Sequence, residues 1–298
     1  MQQDGIKAIA NAILYEGYML YPYRPSALKN QRPGWSFGTL LPPAYVESTP
    51  GDSAFMEAQM LLTGADAGDL AAQIRFLQLA EPAGSSALER TVSLSFSVAQ
   101  LLQSEQRAEF SFADSAQARV EGLIEIAATR VTSSALKLTL RVSNGTPFNE
   151  PVPTRDAALK YSLIAAHAIL TSNQGEFVSL LDTPEDLKIE AAALRQTGVF
   201  PVLIGDEGSR ITMLISPIIL ADYPQIAPES PGDFFDSSEI DELLTLRLLT
   251  LADSEKDELR QAGKTTHDLL DRTHSCRPED LLRMHGVIRE RLAQKEHP

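Results

Sequence analysis

Residues 120–142 read VEGLIEIAATRVTSSALKLTLRV, and this stretch decides the class of fold. Two runs within it, 120–126 and 136–142, alternate apolar and polar side chains. Alternation at every second residue is the period of a strand that buries one face. The Thr and Ser residues at 132–134 separate the two runs and have the composition of a turn. The pattern therefore predicts an antiparallel β-hairpin.

The segments before this hairpin have the same character. Short apolar or alternating runs occur at 70–79, 92–98 and 110–112, with turn-like residues such as 81–86 between them. Many short strands joined by turns are typical of an antiparallel sandwich or a partly open barrel. We therefore predict a β-rich body that contains the hairpin.

The patterns near the two ends of the chain predict a strand pair at the start and helices at the end. Alternation at 14–21 predicts a strand paired with 35–41. Helical periodicity dominates after residue 231. The expected class is α+β, with an antiparallel β-rich main domain over 1–230. A helical C-terminal region over 231–298 is expected to pack on it.

Four segments between the hairpin and residue 231 carry further predictions. Residues 156–171 fit either an Ala-rich helix or a buried strand, and their Tyr and Ile content favours the strand. Thr183 followed by Pro184 and two acids is typical of a helix start, and this helix should end at Gly198. Two strands should follow, at 199–204 and 210–220.

Charge and composition exclude several classes of protein. The chain has 298 residues, a formal net charge of −14 and one cysteine, Cys276. A single cysteine precludes an intramolecular disulfide, and a negative field repels nucleic acid and anionic membranes. The most apolar run, 211–221, is about half as long as a membrane-spanning helix. Since the start shows no signal-peptide pattern, we expect a cytoplasmic protein without nucleic-acid or membrane binding.

No motif in the sequence specifies an enzymatic reaction. His-Glu-x-x-His, Cys-x-x-Cys and the dinucleotide glycine fingerprint are all missing. Residues 263–265 (GKT) resemble the end of a phosphate-binding loop, but Glu258 stands where its first glycine belongs. His167 lies in an apolar stretch, as a core histidine with satisfied hydrogen bonds does. We predict no catalytic residue and no cofactor.

A basic and aromatic segment near the start is a candidate partner-binding loop. Residues 21–35 read YPYRPSALKNQRPGW, and no acid occurs between Glu16 and Glu47. Aromatic side chains and cations on a proline-stiffened loop favour contacts with a partner at low ordering cost. The alternative is a loop whose tyrosines cover the end of the sheet. The candidate contact residues are Tyr21, Tyr23, Arg24, Lys29, Arg32 and Trp35.

An acidic segment follows the last predicted strand. Residues 220–242 contain several carboxylates and neither Lys nor Arg. Such a segment can meet a basic partner, with Glu229, Asp233 and Asp236 as candidate contacts. The spacing does not match a calcium loop. Asp236 also fits the cap of the next predicted helix, which gives part of the charge a structural explanation.

Four potential metal ligands lie near the C-terminus. They are His267, His274, Cys276 and His285. Their spacing is poor for a metal site, because only His274 and Cys276 are close together in sequence. Solvated helix ends explain the same residues, and a metal carrier stays the weaker alternative.

Two blocks of sequence resemble a known family. The first block is residues 15–30, YEGYMLYPYRPSALKN, followed by WSFG at 35–38. The second block comprises SPIIL at 216–220, YP at 223–224, APESPGD at 227–233, FD at 235–236 and EIDE at 239–242. Together they resemble bacterial proteins encoded beside nickel–iron hydrogenase structural and maturation genes, a family with no assigned reaction. The resemblance implies an accessory or assembly role toward a hydrogenase, with a hydrogenase subunit or maturation factor as partner.

Three functions therefore remain open on the sequence. The leading hypothesis is a non-catalytic accessory protein that acts by protein–protein binding. One alternative is an enzyme whose site is assembled from scattered residues such as Arg24, Lys29, Asp233 and His285. The other is the metal carrier. If the two blocks are adjacent in the fold, their opposite charges could instead pair with each other internally.

Overall fold

The computed structural model describes residues 5–11, 13–14, 38–65, 68–79, 87–113 and 118–225. The chain divides into two compact units. One is Ile13–Tyr223, and the other comprises Met1–Ala12 with Pro224–Pro298. In the latter unit, residues 5–11 are helical.

The described part of Ile13–Tyr223 is built mainly of strands, and these strands pair antiparallel. They are β1 (Phe55–Thr63), β2 (Asp69–Leu79), β3 (Ala87–Ser97), β4 (Gln106–Phe112), β5 (Val120–Arg130), β6 (Ala135–Asn144), β7 (Ile164–Ser172), β8 (Glu176–Phe177), β9 (Gln196–Thr197), β10 (Phe200–Leu203) and β11 (Thr212–Ser216). Short helices cover Pro43–Val46, Val98–Gln103, Arg155–Leu159, a 3₁₀ turn at Glu185–Leu187, and Lys188–Ala192.

The strands form two sheets that share one core. The first sheet has the order β4-β5-β6-β1-β8, with β9 also paired to β1, and the second has the order β10-β11-β7-β2-β3. A single hydrophobic cluster contains Met60 and Leu138 from the first sheet together with Ile74, Leu170 and Met213 from the second. Burial of this apolar area is the main stabilising contribution to such a fold. The two sheets therefore pack face to face as a sandwich, which we call the two-sheet body.

The hairpin at 120–142 is confirmed. β5 and β6 pair from Gly122 with Asn144 to Arg130 with Leu136. Buried and half-buried residues alternate along β5 up to Ala128, because one face of the strand meets the core. The Thr132 hydroxyl accepts hydrogen bonds from the backbone N–H groups of Ser134 and Ala135, which stabilises the turn.

Asn144, at the end of β6, is a buried polar anchor. Its Nδ2 donates to the carbonyl oxygens of Leu40 and Tyr161, both at 2.8 Å. Its Oδ1 accepts from the backbone N–H of Thr146, also at 2.8 Å. Leu40 and Tyr161 belong to segments far apart in sequence, so this side chain joins three parts of the chain with its hydrogen bonds satisfied.

Two predictions after the hairpin are wrong in part. Residues 156–171 are neither one strand nor one helix, since the helix Arg155–Leu159 precedes β7. The helix predicted to end at Gly198 is a 3₁₀ turn and a five-residue helix that ends at Ala192. Thr183 does not cap it, because its hydroxyl donates back to the carbonyl of Ser179 at 2.8 Å.

The remaining predictions concern the ends of the two-sheet body. The strands predicted at 199–204 and 210–220 are confirmed as the shorter strands β10 and β11. Leu14 is helical, so the strand predicted at 14–21 is wrong at its first residue. The rest of that strand, the boundary at residue 230 and the helices predicted after 231 lie outside the described residues.

Candidate functional site

All the binding and metal residues predicted from the sequence lie outside the described residues. These are Tyr21, Tyr23, Arg24, Lys29, Arg32, Trp35, Glu229, Asp233 and Asp236 for partner binding, and His267, His274, Cys276 and His285 for metal. The structure does describe the places where the two sequence blocks join the two-sheet body. Those attachment points define the candidate site.

The end of the first block adds to the second sheet beside β7. The backbone N–H of Ala166 donates to the carbonyl of Gly38 at 2.8 Å. Two residues later, Leu40 and Leu163 exchange hydrogen bonds of 2.9 and 3.0 Å. Residues 38–40 thus run antiparallel to the start of β7.

β7 contains a β-bulge at this attachment. Arg75 of β2 pairs with His167, but Leu77 pairs with Ile164, so β7 contains one extra residue at this point. Ala165 takes up the extra length with a left-handed φ of 53°. Such a backbone conformation is unfavourable for residues other than glycine and marks a constrained position.

The second block begins where β11 stops following β7. Ile215 pairs with Ala168, and the same register would place Pro217 opposite Ala166. Proline has no N–H with which to continue the ladder. The chain turns instead, and the backbone N–H of Ile218 donates to the Ser216 hydroxyl at 3.0 Å. Gly38 takes the vacated position beside Ala166.

The two blocks meet at this point. Gly38 has a φ of +56°, and a Cβ there would lie 2.8 Å from the Cβ of Pro217 and 3.0 Å from the carbonyl oxygen of Ala166. Only glycine combines this conformation with so close an approach. We call Gly38, Ala166 and Pro217 the block junction.

The residue that precedes the first block is attached to the same strand. Leu14 belongs to a buried cluster that includes Leu79, Leu159, Ile164 and Ala165. Leu14 and Gly38, the described residues on either side of 15–37, are therefore both held at the bulged start of β7.

The second block has a further attachment at Asp222 and Tyr223. The Asp222 Oδ1 accepts from the backbone N–H of Leu203 at 2.8 Å, and the N–H of Tyr223 donates to the Leu203 carbonyl, also at 2.8 Å. The Ser179 hydroxyl donates to the other oxygen of Asp222. Tyr223 packs against the core, and partial burial raises the pKa of its hydroxyl.

Next to the junction, β7 carries a buried polar group formed with β2 and β3. His167 is fully buried, and its Nδ1 lies 2.9 Å from the carbonyl oxygen of Ala165. Its neighbour across the strand pair, Arg75, is 5% exposed and bonds Glu89 through Nε at 3.1 Å. Within the described part of the chain, the His167 Nε2 has no hydrogen-bond partner.

The environment of His167 favours the neutral imidazole. Burial lowers its pKa to about 4, the Ala165 carbonyl opposes that shift, and the positive charge of Arg75 adds to it. Because a carbonyl only accepts, Nδ1 carries the proton and Nε2 keeps a lone pair. A side chain with no exposed surface cannot reach a substrate, so this geometry supports a structural role.

One part of the sequence prediction for His167 is therefore corrected. The residue is in the core, but the described residues satisfy only one of its two ring nitrogens. Its pairing with Arg75 was missed. The available signal was one ionisable residue inside an apolar run of each strand, Arg75 in β2 and His167 in β7, although sequence alone does not align such positions.

Comparisons with known proteins place no family name on this site. Neither a protein-family model nor a curated protein matches the chain. Among the described residues, no three His, Cys, Asp or Glu side chains are grouped so as to hold a metal ion. None of the helices in that same part of the chain is long and apolar enough to cross a membrane.

Proposed function

We propose that the protein is a non-catalytic accessory protein that assists the assembly of a nickel–iron hydrogenase by binding one of its subunits or maturation factors. The choice of a hydrogenase as the target rests on the resemblance of the two sequence blocks to proteins encoded beside hydrogenase genes. The cytoplasm, where such assembly takes place, is the proposed location.

The block junction is the observation that carries the proposal. Two blocks far apart in sequence attach to one place on the second sheet, where Gly38 lies against Pro217. The two blocks thus share one attachment to the described part of the chain. A rigid scaffold that presents recognition segments is a common arrangement in binding proteins.

The chemistry of the blocks fits a protein partner. The first supplies aromatic side chains and guanidinium groups, which are enriched at the energetic centres of protein interfaces. The second supplies carboxylates, which steer a basic surface and select against other partners. His167, the buried histidine beside the junction, has no exposed surface, and this favours a structural over a catalytic role for that residue.

The proposal is tested by capture from the native host under hydrogenase-inducing conditions. Tagged wild-type protein is compared with the double variant Arg24→Glu/Arg32→Glu. We expect the wild type to recover a hydrogenase or maturation subunit. The double variant should lose it, because charge reversal opposes the contact made by the basic loop.

A matched control separates loss of a specific contact from a change in net charge. Lys188→Glu/Arg195→Glu makes the same charge change at two exposed cations of the two-sheet body. This control should capture as the wild type does. Recovery of no hydrogenase component by the wild type would overturn the proposal, and recovery by both double variants would move the interface away from the basic loop.

A further inference from the structure

The open edges of the two sheets differ in how they are protected. An edge strand exposes unpaired backbone groups, and proteins shield it with short strands, charges or proline. At the edges of the described sheets, β8 and β9 have two residues each and β10 contains Pro201. β4 carries the exposed charges Arg107 and Glu109.

β3 has none of these protections along most of its length. It is eleven residues long, and in the described part of the chain it pairs only with β2. No charged residue and no proline occurs from Thr91 to Ser104. Thr91, Ser93 and Ser95 are exposed.

The direction of the backbone groups of β3 that do not pair with β2 follows from the ladder. Val98 N–H donates to the Gly68 carbonyl at 3.0 Å, in register with the β2–β3 pairing. Asp69 instead bonds Asn173 on its other side through both its N–H and its carbonyl. Since these directions alternate along a strand, the N–H and C=O groups of 91, 93 and 95 point to the open edge.

The inward side chains of β3 are also incompletely covered. Val92 and Leu94 pack against the core but remain half-buried. An adjoining strand would cover them, because neighbouring strands lie only about 5 Å apart. An additional strand beside β3 could therefore hydrogen-bond to its outward backbone groups and cover its half-buried side chains.

We propose that β3 is the site at which two copies of this chain associate, with their second sheets joined edge to edge across a two-fold axis at Ser93. A basic or acidic partner would find no opposite charge on residues 91–104. A second copy needs none, and an uncharged centre limits repulsion between two chains that each carry a formal net charge of −14. The inference does not depend on the proposed function.

The two-fold register is self-consistent. Ser93 faces Ser93 of the other copy, and Thr91 faces Ser95, so small hydroxyl side chains lie opposite one another. On the inner face, Val92 of one copy meets Leu94 of the other. Glu89 would face Ser97, which avoids an opposition of like charges.

The test is the mass of the full chain by analytical ultracentrifugation at micromolar concentration. The wild type should be a dimer. Ser93→Lys and Ser93→Glu should each associate at least about tenfold more weakly, since each places like charges opposite one another. An equimolar mixture of the two variants should regain the dimer mass, because opposite charges then meet across the axis.

A control variant separates the effect of position 93 from that of an added charge. Ser111→Lys introduces the same residue on the edge strand β4 and should leave the dimer intact, with circular dichroism used to check the fold of each variant. A monomeric wild type would overturn the proposal, as would dimers that persist in both Ser93 variants. Failure of the mixture to associate, when each variant alone is monomeric, would overturn the two-fold register at Ser93.

Discussion

Gly38 lies so close to Pro217 that a single added carbon on the glycine would come within 2.8 Å of the proline Cβ. The contact joins two segments that are distant in sequence, and both rest on the bulged start of β7.

Gly38→Ala should destabilise the protein by roughly 2–4 kcal/mol. The left-handed φ of +56° opposes any Cβ, and the overlap with Pro217 and the Ala166 carbonyl adds to that strain. Urea unfolding followed by circular dichroism measures the change. Gly198→Ala is the matched control, because its φ is +70° but no atom lies within 4 Å of the added carbon. Equal losses for the two variants would show that the contact with Pro217 contributes nothing.

The stability of the protein should fall as the pH drops from about 6.5 towards 4, in part because of His167. Its folded-state pKa is about 4, below the value near 6.5 expected in the unfolded chain. Between these two pKa values the unfolded state therefore binds more protons than the folded state. The contribution of His167 to the free energy of unfolding is complete only above about pH 6.5. Protonation of this group should lower the free energy of unfolding by roughly 3 kcal/mol in full.

His167→Gln isolates that effect from the titration of carboxylates. Glutamine stays neutral and can still donate to the Ala165 carbonyl. Urea unfolding at a series of pH values should give a shallower decline for the variant than for the wild type. Parallel curves, or an imidazole proton resonance of His167 that titrates near 6.5, would contradict the assignment.

Asn144→Ala should cost about 2–4 kcal/mol of unfolding free energy. The substitution removes the partners of two carbonyls and one N–H in a region with little access to water. Asn173→Ala is the comparison, because Asn173 is exposed and water can replace its bond to Asp69. That control should change stability by about 1 kcal/mol or less. A loss no larger at Asn144 than at Asn173 would refute the anchoring role.

Removal of metal should leave partner capture unchanged if the protein acts by protein–protein contact. Wild type treated with a chelator should recover the same subunit as untreated protein. The variant His267→Ala/His274→Ala/Cys276→Ser/His285→Ala should do the same. Elemental analysis for nickel and zinc accompanies the capture. Stoichiometric metal that the variant lacks, together with lost capture, would favour the metal carrier.

Alternation of apolar and polar residues predicted the strands of the hairpin. The features that the sequence did not predict depend on contacts between residues far apart in the chain. The alternation in β5 and β6 is complete within one hairpin, so neighbouring residues contain the information. Residues 156–171 have no comparable signal, because alanine is compatible with helix and strand and the bulge at Ala165 shows only in the pairing of β7 with β2. Composition marked the two blocks as unusual. It could not show that their ends meet, because Gly38 and Pro217 are neighbours only in the folded chain.

The anchoring of Leu14 and Gly38 at one end of β7 has an evolutionary consequence. Leu14 packs in a cluster with Ile164 and Ala165, and the carbonyl of Gly38 accepts a hydrogen bond from Ala166. The scaffold thus holds the chain at two points that flank residues 15–37 in sequence. Descendants of one ancestral gene can inherit these two points while the sequence between them diverges.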